Sequence, residues 1–250
     1  MNKIKVGVCG ANGRMGKEVV QTVLAQRDME LTCEIDILDG EFKTIAAAND
    51  ARQIDVLVDF TQPKSIYENA IYCLNNGIKP VIGTTGLTDE QIAEIKKLSE
   101  QKKLSCIIAP NFSTGAVLMM MFSKQAAKYF DNAEIIEYHH NQKKDAPSGT
   151  AIKTALMMSE EKSTFKKDNC IETETIESCR GGSAYSDIQI HSVRMPGFMA
   201  SQEVIFGSMG QLLKIRHDSM DRKCYMQGVM LAIRHVASHD DFIYGLENIL

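Results

Sequence analysis

The sequence predicts an α/β protein: a doubly wound parallel sheet joined to a second, α+β domain built on a mixed or antiparallel sheet. Three observations carry this. Through the first 113 residues, short apolar runs alternate with helical patterns, as in parallel sheets wound by helices. One of those runs, Ile54 to Phe60, is apolar enough to be covered on both faces, as parallel strands are. After residue 113 the rhythm changes to consecutive strand-like runs with little helix between them.

The elements follow in order. Ile4 to Cys9 is β-rich and ends at Gly10. Met15, Val19, Val20, Val23 and Leu24 then fall at helical spacing and predict one apolar stripe. Glu30 to Ile35 reads as a second strand and Ile54 to Phe60 as a third. Ser65 to Leu74 is helical and stops at the turn signal Asn75-Asn76-Gly77. Pro80 to Gly83 is a strand. Thr88-Asp89-Glu90-Gln91 matches a capping box, with Ile92, Ile95 and Leu98 as the buried face. Leu104 to Ala109 is a further strand closed by Pro110-Asn111.

Beyond it, Gly115 to Phe130 predicts one long helix and Ala133 to His140 a strand. A polar loop runs from Asn141 to Pro147, and Ser148 can cap a helix reaching Met158. Residues 163–187 are polar and carry no clear pattern. Asp187 to Arg194, Glu203 to Ser208 and Gln211 to Ile215 read as strands, and Arg222 to Val236 is helical again. The change at 113 and the return of a helix after Ser219 predict a discontinuous first domain, 1–113 plus 219–250, and a second domain, 114–218.

Composition bounds the function. Of 250 residues, 44% are apolar, ample for a packed core, and the net charge of −4 is an ordinary surface. Nothing is basic enough to suggest nucleic-acid binding by phosphate neutralisation. The longest uninterrupted apolar stretch, Ala116 to Phe122, falls far short of the roughly 20 residues of a membrane helix. Glycines and Asn12 arrive before any signal-peptide core forms, so no export signal is expected. Seven cysteines without a C-x-x-C pair predict buried free thiols in a reducing cytosol and no metal site.

Gly10-Ala11-Asn12-Gly13-Arg14-Met15-Gly16 lies between the first strand and the first helix. Glycine there permits positive φ, lets the backbone approach a pyrophosphate and allows close helix packing. The helix N-terminus then presents free N–H groups to the phosphates. The G-x-x-G-x-x-G spacing is weak alone, being equally a plain glycine turn. Context favours a nucleotide: Asp36, twenty residues past Gly16 at the second strand's end, can accept ribose hydroxyls. Gly83-Thr84-Thr85-Gly86 and Ala109-Pro110-Asn111-Phe112 end two later strands, where open α/β sheets border their ligand crevice. Such loops offer uncharged hydrogen bonds of the kind a nicotinamide amide requires, and each read alone is also ordinary turn chemistry.

The densest polar cluster is Glu137-Tyr138-His139-His140-Asn141-Gln142-Lys143-Lys144-Asp145-Ala146-Pro147-Ser148-Gly149-Thr150. Two histidines leave a strand, two lysines follow, and Ser-Gly-Thr opens a helix. Chemically this is a place to bind an anion and deliver protons. A solvated loop with a capping serine is the bland alternative. His191, His217, His235 and His239 lack such company and read as surface or core residues.

The stretch Glu137 to Ala151 closely resembles the E-x-H-H-x-x-K-x-D-A-P-S-G-T-A motif of the 4-hydroxy-tetrahydrodipicolinate reductase family. The resemblance extends to Gly10–Gly16, Asp59-Phe60-Thr61, Gly83-Thr84-Thr85-Gly86 and Asn111-Phe112-Ser113, in the family's order. It implies hydride transfer from NADH or NADPH to a small, cyclic dicarboxylate imine in lysine and diaminopimelate biosynthesis. It further implies a Rossmann-like first domain, a second domain for substrate binding and assembly, and a cytoplasmic homotetramer. By position, His139 matches the family's catalytic histidine and Lys143 its proton donor, while His140, Gly149 and Thr150 match substrate-binding positions. Gly10, Ala11, Asn12, Gly13, Arg14, Met15, Asp36, Gly83, Thr84, Thr85, Ala109, Pro110, Asn111 and Phe112 match the cofactor shell. Where some members carry Arg after the acidic ribose-binding residue, this chain has Ile37. NADH is therefore expected to be used at least as well as NADPH.

Two competing readings differ in what they explain. Short-chain dehydrogenases require Tyr-x-x-x-Lys, and none of the seven tyrosines has Lys four positions on. A non-catalytic NAD(H)-binding redox sensor would leave the His-His-x-x-Lys cluster without a purpose.

Overall fold

The computed structural model describes residues 3–165 and 173–250. In chain order the elements are β1 (Ile4–Cys9), α1 (Arg14–Leu24), β2 (Met29–Ile35), α2 (Ile45–Ala51), β3 (Val56–Asp59), α3 (Ile66–Asn75), β4 (Lys79–Ile82), α4 (Asp89–Lys102) and β5 (Cys106–Ile108). There follow α5 (Thr114–Ala127), β6 (Asn132–His139), α6 (Gly149–Ser159), β7 (Gly182–Ser183), β8 (Gln189–Arg194), β9 (Ala200–Ser208), β10 (Gln211–Ser219), α7 (Met226–Ser238) and β11 (Phe242–Tyr244). The chain divides into two compact units, Met1–Thr114 with Arg222–Leu250, and Gly115–Asp221.

The first unit is a six-stranded sheet in the order β11-β5-β4-β3-β1-β2, with every pair parallel. Its strands are apolar on both faces because both faces are covered: all four residues of β3 are buried. Ile45 and Ala48 of α2, Ile66, Ala70 and Leu74 of α3, and Ile95 of α4 bury against the sheet strands. Helix α7 packs on β3, β4, β5 and α1, and its Val229, Ile233 and Val236 are fully buried. Each such side chain stabilises the fold by roughly 1.5–3 kcal/mol. The strand order reverses between β1 and β3, whose register pairs Cys9 with Asp59. Their C-terminal ends therefore lie level, at the switch point where open α/β sheets bind ligands.

The second unit is a five-stranded sheet, β10-β9-β6-β8-β7. It is mixed: β6 runs parallel to β8 and antiparallel to β9, and β9 is antiparallel to β10. Ala133 and Ile135 of β6, Val204 and Phe206 of β9, and Ala151, Ala155 and Met158 of α6 form one core cluster. The edge strand β10 keeps its first four residues exposed, including Leu212.

Several expectations are corrected. Strand β3 begins at Val56 and ends at Asp59, shorter than Ile54 to Phe60, and α5 ends at Ala127. The buried stripe of α1 is Gly16, Val19 and Val23, one turn apart, so Leu24 lies off it and is 65% exposed. Residues Arg222–Tyr225 form a 3-10 turn ahead of α7. Helix α2 and strand β11 are additional to the expected elements. Cys9, Cys33, Cys73 and Cys106 are buried thiols, but Cys179 is exposed and Cys224 is half-buried. Cys170, and residues 166–172 of the patternless segment, lie outside the described residues. The rest of that segment contains β7 and a 3-10 turn at Tyr185–Asp187.

Candidate active site

In the first unit the residues assigned to a dinucleotide all follow strand C-termini: Gly10–Met15 after β1, Asp36 after β2, Gly83–Thr85 after β4 and Ala109–Phe112 after β5. Two glycines explain the tightness of the first loop. Gly10 has φ +78°, and a Cβ on it would lie 2.5 Å from the Phe60 carbonyl oxygen. A Cβ on Gly16 would lie 2.0 Å from the Gly10 carbonyl oxygen, so only glycine lets α1 begin this close to β1. Gly13 is the N-cap and offers no side chain to the first-turn N–H groups of α1. Those donors suit an anion.

Asp36 is tied to this loop. One carboxylate oxygen accepts the Asn12 N–H at 3.1 Å, the other the Leu38 N–H at 3.1 Å. Each oxygen keeps a lone pair for an additional donor. Ile37 beside it is 76% exposed and brings no charge. Lys43 donates its ammonium to the Leu38 carbonyl.

The Thr84 loop is held by a residue that sequence reasoning used only as a landmark. Asp59, the last residue of β3, is buried and accepts from Thr61 N (2.9 Å), Thr61 Oγ1 (2.6 Å), Asn69 Nδ2 (2.7 Å) and Thr84 Oγ1 (3.2 Å). Burial pushes its carboxyl above the ordinary range despite these donors, none of which is charged. The signal available in sequence is a carboxylate ending an otherwise apolar strand. Phe60 and Phe112, after β3 and β5, meet edge-on with centroids 5.9 Å apart.

In the second unit, His139 is the last residue of β6, and Gly149 and Thr150 open α6. Ser148 caps α6 by accepting the Ala151 N–H, as its position predicts. His140 is exposed, and its Nδ1 accepts the Gln142 N–H. Lys143 Nζ pairs with both Asp145 carboxylate oxygens, at 2.9 and 2.8 Å.

Glu137 and Arg194 connect these groups. Period-two alternation along β6 puts Glu137 and His139 on the face that buries Ala133 and Ile135. Glu137 is fully buried, and the Arg194 guanidinium grips it at 2.7 and 2.8 Å. His139 Nδ1 lies 2.5 Å from Glu137 Oε2, and the Ser148 N–H reaches Oε1 at 3.2 Å. Arg194 also donates to the Asp145 carbonyl at 2.8 Å, which links the loop carrying Lys143 to the same pair. Burial alone would raise the Glu137 carboxyl, but His139, Arg194 and a hydrogen bond from the Ser192 side chain outweigh it and lower the pKa to about 2. Sequence reasoning quoted Glu137 without a role and passed over Arg194, which sits one strand and 57 residues away.

Two histidines set aside earlier do have carboxylate partners: His191 with Glu134 at 2.8 Å, and His235 with Asp241 at 3.0 Å. Among the described residues no cluster of His, Cys, Asp and Glu has metal-binding geometry, and no helix is long and apolar enough to cross a membrane.

Comparisons with known proteins agree across the chain. Residues 4–112 match the family described as "Dihydrodipicolinate reductase, N-terminus", and residues 115–250 match "Dihydrodipicolinate reductase, C-terminus". A 4-hydroxy-tetrahydrodipicolinate reductase of Listeria innocua is 48% identical over 99% of this chain and 100% of its own length. One from Desulfitobacterium hafniense is 47% identical over the full length of both. The dipicolinate-bound dihydrodipicolinate reductase of Paenisporosarcina sp. TG-14 superposes with a TM-score of 0.92, at 44% identity over 99% of this chain and 100% of its own. An amine dehydrogenase of Mycobacterium smegmatis, 12% identical with a TM-score of 0.68 over 99% and 96% of the two chains, shares the fold alone.

Proposed function

The chain belongs to the dihydrodipicolinate reductase family, and from that membership we propose how its own residues divide the work of reducing 4-hydroxy-tetrahydrodipicolinate to tetrahydrodipicolinate. The family is one of NAD(P)H-dependent oxidoreductases of lysine and diaminopimelate biosynthesis. In this reading residues 1–113 with 219–250 bind the dinucleotide, and residues 114–218 bind substrate and carry assembly. The observation that carries it is the join of His139, the Ser148 turn and the Lys143 loop through one buried Glu137–Arg194 pair.

The first unit's residues fit a dinucleotide. The uncapped start of α1 at Gly13 offers N–H donors to a pyrophosphate, and Asp36 has lone pairs for two ribose hydroxyls. When bound, NADH or NADPH supplies the hydride. The 4-hydroxyl leaves as water to give a C=C conjugated to the imine, and the chain's task is then to orient this species and quench with a proton the charge left when hydride adds to carbon. The N–H groups of Gly149 and Thr150 at the start of α6, with His140, take a substrate carboxylate. Lys143 gives the proton, and in doing so exchanges its Asp145 partner for the substrate; His139 assists from the end of β6.

Asp36 faces an added 2′-phosphate with like charge, and Ile37 supplies no cation, so NADH is used at least as well as NADPH. The exposed edge strand β10 and its Leu212 suit assembly into a homotetramer through the second unit's sheet. The cytoplasm is the compartment that fits four buried free thiols.

The deciding assay adds purified protein and NADH to dihydrodipicolinate synthase, pyruvate and aspartate semialdehyde. NADH oxidation that needs all components supports the reading. Nucleotide binding without oxidation would instead mark a redox sensor.

A further inference from the structure

We propose that Glu137, clamped by Arg194, is the positioning residue of this site, setting the His139 ring and the Ser148 amide from one buried anion. The proposal rests on the reaction assigned above to the His139 and Lys143 cluster.

The position argues for it first. Glu137 occupies a slot on β6 continuous with Ala133 and Ile135, where an apolar side chain would serve packing. A buried ion pair is seldom a net gain over well-packed hydrophobes, so packing does not account for a carboxylate there. Occupancy argues for it next. Oε1 accepts Arg194 Nη2 and the Ser148 N–H; Oε2 accepts Arg194 Nη1 and meets His139 Nδ1. Each oxygen serves one guanidinium hydrogen and one group of the site, and the Ser192 hydroxyl donates to the same carboxylate, so its lone pairs are filled. Glu137 therefore has no capacity left to exchange protons with a substrate, and it acts through what it holds.

Two consequences follow. A carboxylate held ionised only accepts, so Nδ1 of His139 carries the hydrogen and the ring turns Nε2 away from the pair. The Ser148 amide fixes where α6 starts, and so where the Gly149 and Thr150 N–H groups stand. Arg194 extends the same register to the Lys143 loop through the Asp145 carbonyl. One anion thus sets both the proton-handling ring and the carboxylate-binding turn.

Steady-state kinetics of Glu137→Gln, His139→Ala and the double variant test this, with NADH affinity measured separately. Glu137→Gln should lower kcat roughly tenfold or more and raise KM for the dicarboxylate, with the NADH Kd unchanged. In the His139→Ala background its effect on kcat should vanish while its effect on KM persists, because only the ring's share passes through His139. An equal kcat loss in both backgrounds, or wild-type kcat and KM in Glu137→Gln, would overturn the proposal. If Glu137→Gln fails to fold, Glu137→Gln/Arg194→Met removes both charges and takes its place. Ring 15N shifts of histidine-labelled wild-type protein, with His139→Ala for assignment, give a readout independent of activity. The Nδ1–H tautomer at His139 is expected, and the Nε2–H tautomer would refute the arrangement. Should wild-type protein oxidise no NADH yet show the Nδ1–H tautomer, the assigned reaction falls and the positioning geometry stands.

Discussion

Asp59 in the first unit and Glu137 in the second are both buried carboxylates at or near the end of a strand, yet their acidities move in opposite directions. Asp59 is held by Thr61, Asn69 and Thr84, all neutral, and burial wins, so its pKa rises. Glu137 is held by Arg194 and His139, and the charged partners win, so its pKa falls to about 2. Burial sets the cost of the charge; the partners decide its sign. The first unit's loops are accordingly organised by neutral donors and backbone, and the second unit's by ions.

The largest test of this contrast removes one partner from each carboxylate. Arg194→Met should leave the buried Glu137 charge without its guanidinium partner and cost about 3–5 kcal/mol, lowering Tm by roughly 6–20 °C in a calorimetric scan. Thr84→Val, which deletes only a neutral donor to Asp59, should cost about 1 kcal/mol. Equal losses would break the comparison.

Acid titration of stability sharpens it. Glu137 titrates lower in the folded chain than its ordinary 4.5, so its contribution is complete above that value and is lost as pH falls toward about 2. The lowering corresponds to roughly 3 kcal/mol. Asp59 has the opposite sign: raised in the fold, it adds stability as pH drops through its native pKa. Denaturant unfolding across pH 2–6 should therefore show a flatter acid limb in Glu137→Gln and a steeper one in Asp59→Asn. Two limbs altered in the same sense would contradict the opposite shifts.

The proposed division of labour gives a third test. Lys143→Ala should lower kcat by about 10² or more while the NADH Kd, measured by fluorescence titration, stays near wild type. Wild-type turnover would remove Lys143 from the reaction. The smallest expected effect concerns Asp36, a charge at the mouth of the neutral half. Like-charge repulsion of about 1–3 kcal/mol at an effective dielectric near 20 favours NADH over NADPH in kcat/KM at low salt, and added salt weakens it. A tenfold preference for NADPH would show that Arg14 or Lys43 compensates the phosphate.

Much of this was legible in the sequence wherever the cause is local. The run Ile4–Cys9, the Thr88–Gln91 capping box and the Ser148 cap all appear as read, because each depends on residues within one turn or one pleat. Strand β11 was not legible: three residues have no periodicity to read, and pairing with β5 makes Phe242–Tyr244 a strand. Helix α2, rich in small residues, has too little apolar contrast to announce a face. In the candidate site, the Glu137–Thr150 cluster stood out by composition, with Glu137 as its first residue. Its burial and its grip by Arg194 were invisible, since β6–β8 pairing is a long-range fact.

The late arrival of β11 also bears on how the chain matures. Residues of the second unit are contiguous, so its five strands are all available once Ser219 has been synthesised. The parallel sheet must wait for Tyr244, the end of β11, 25 residues further on. Until then β5, whose Cys106, Ile107 and Ile108 end up fully or almost fully buried, presents an apolar edge with no neighbour on that side. That interval is when a nascent chain is most prone to stick to another. Nicking or shortening the last segment would make the interval permanent, so the final strand acts as a closing seam against aggregation.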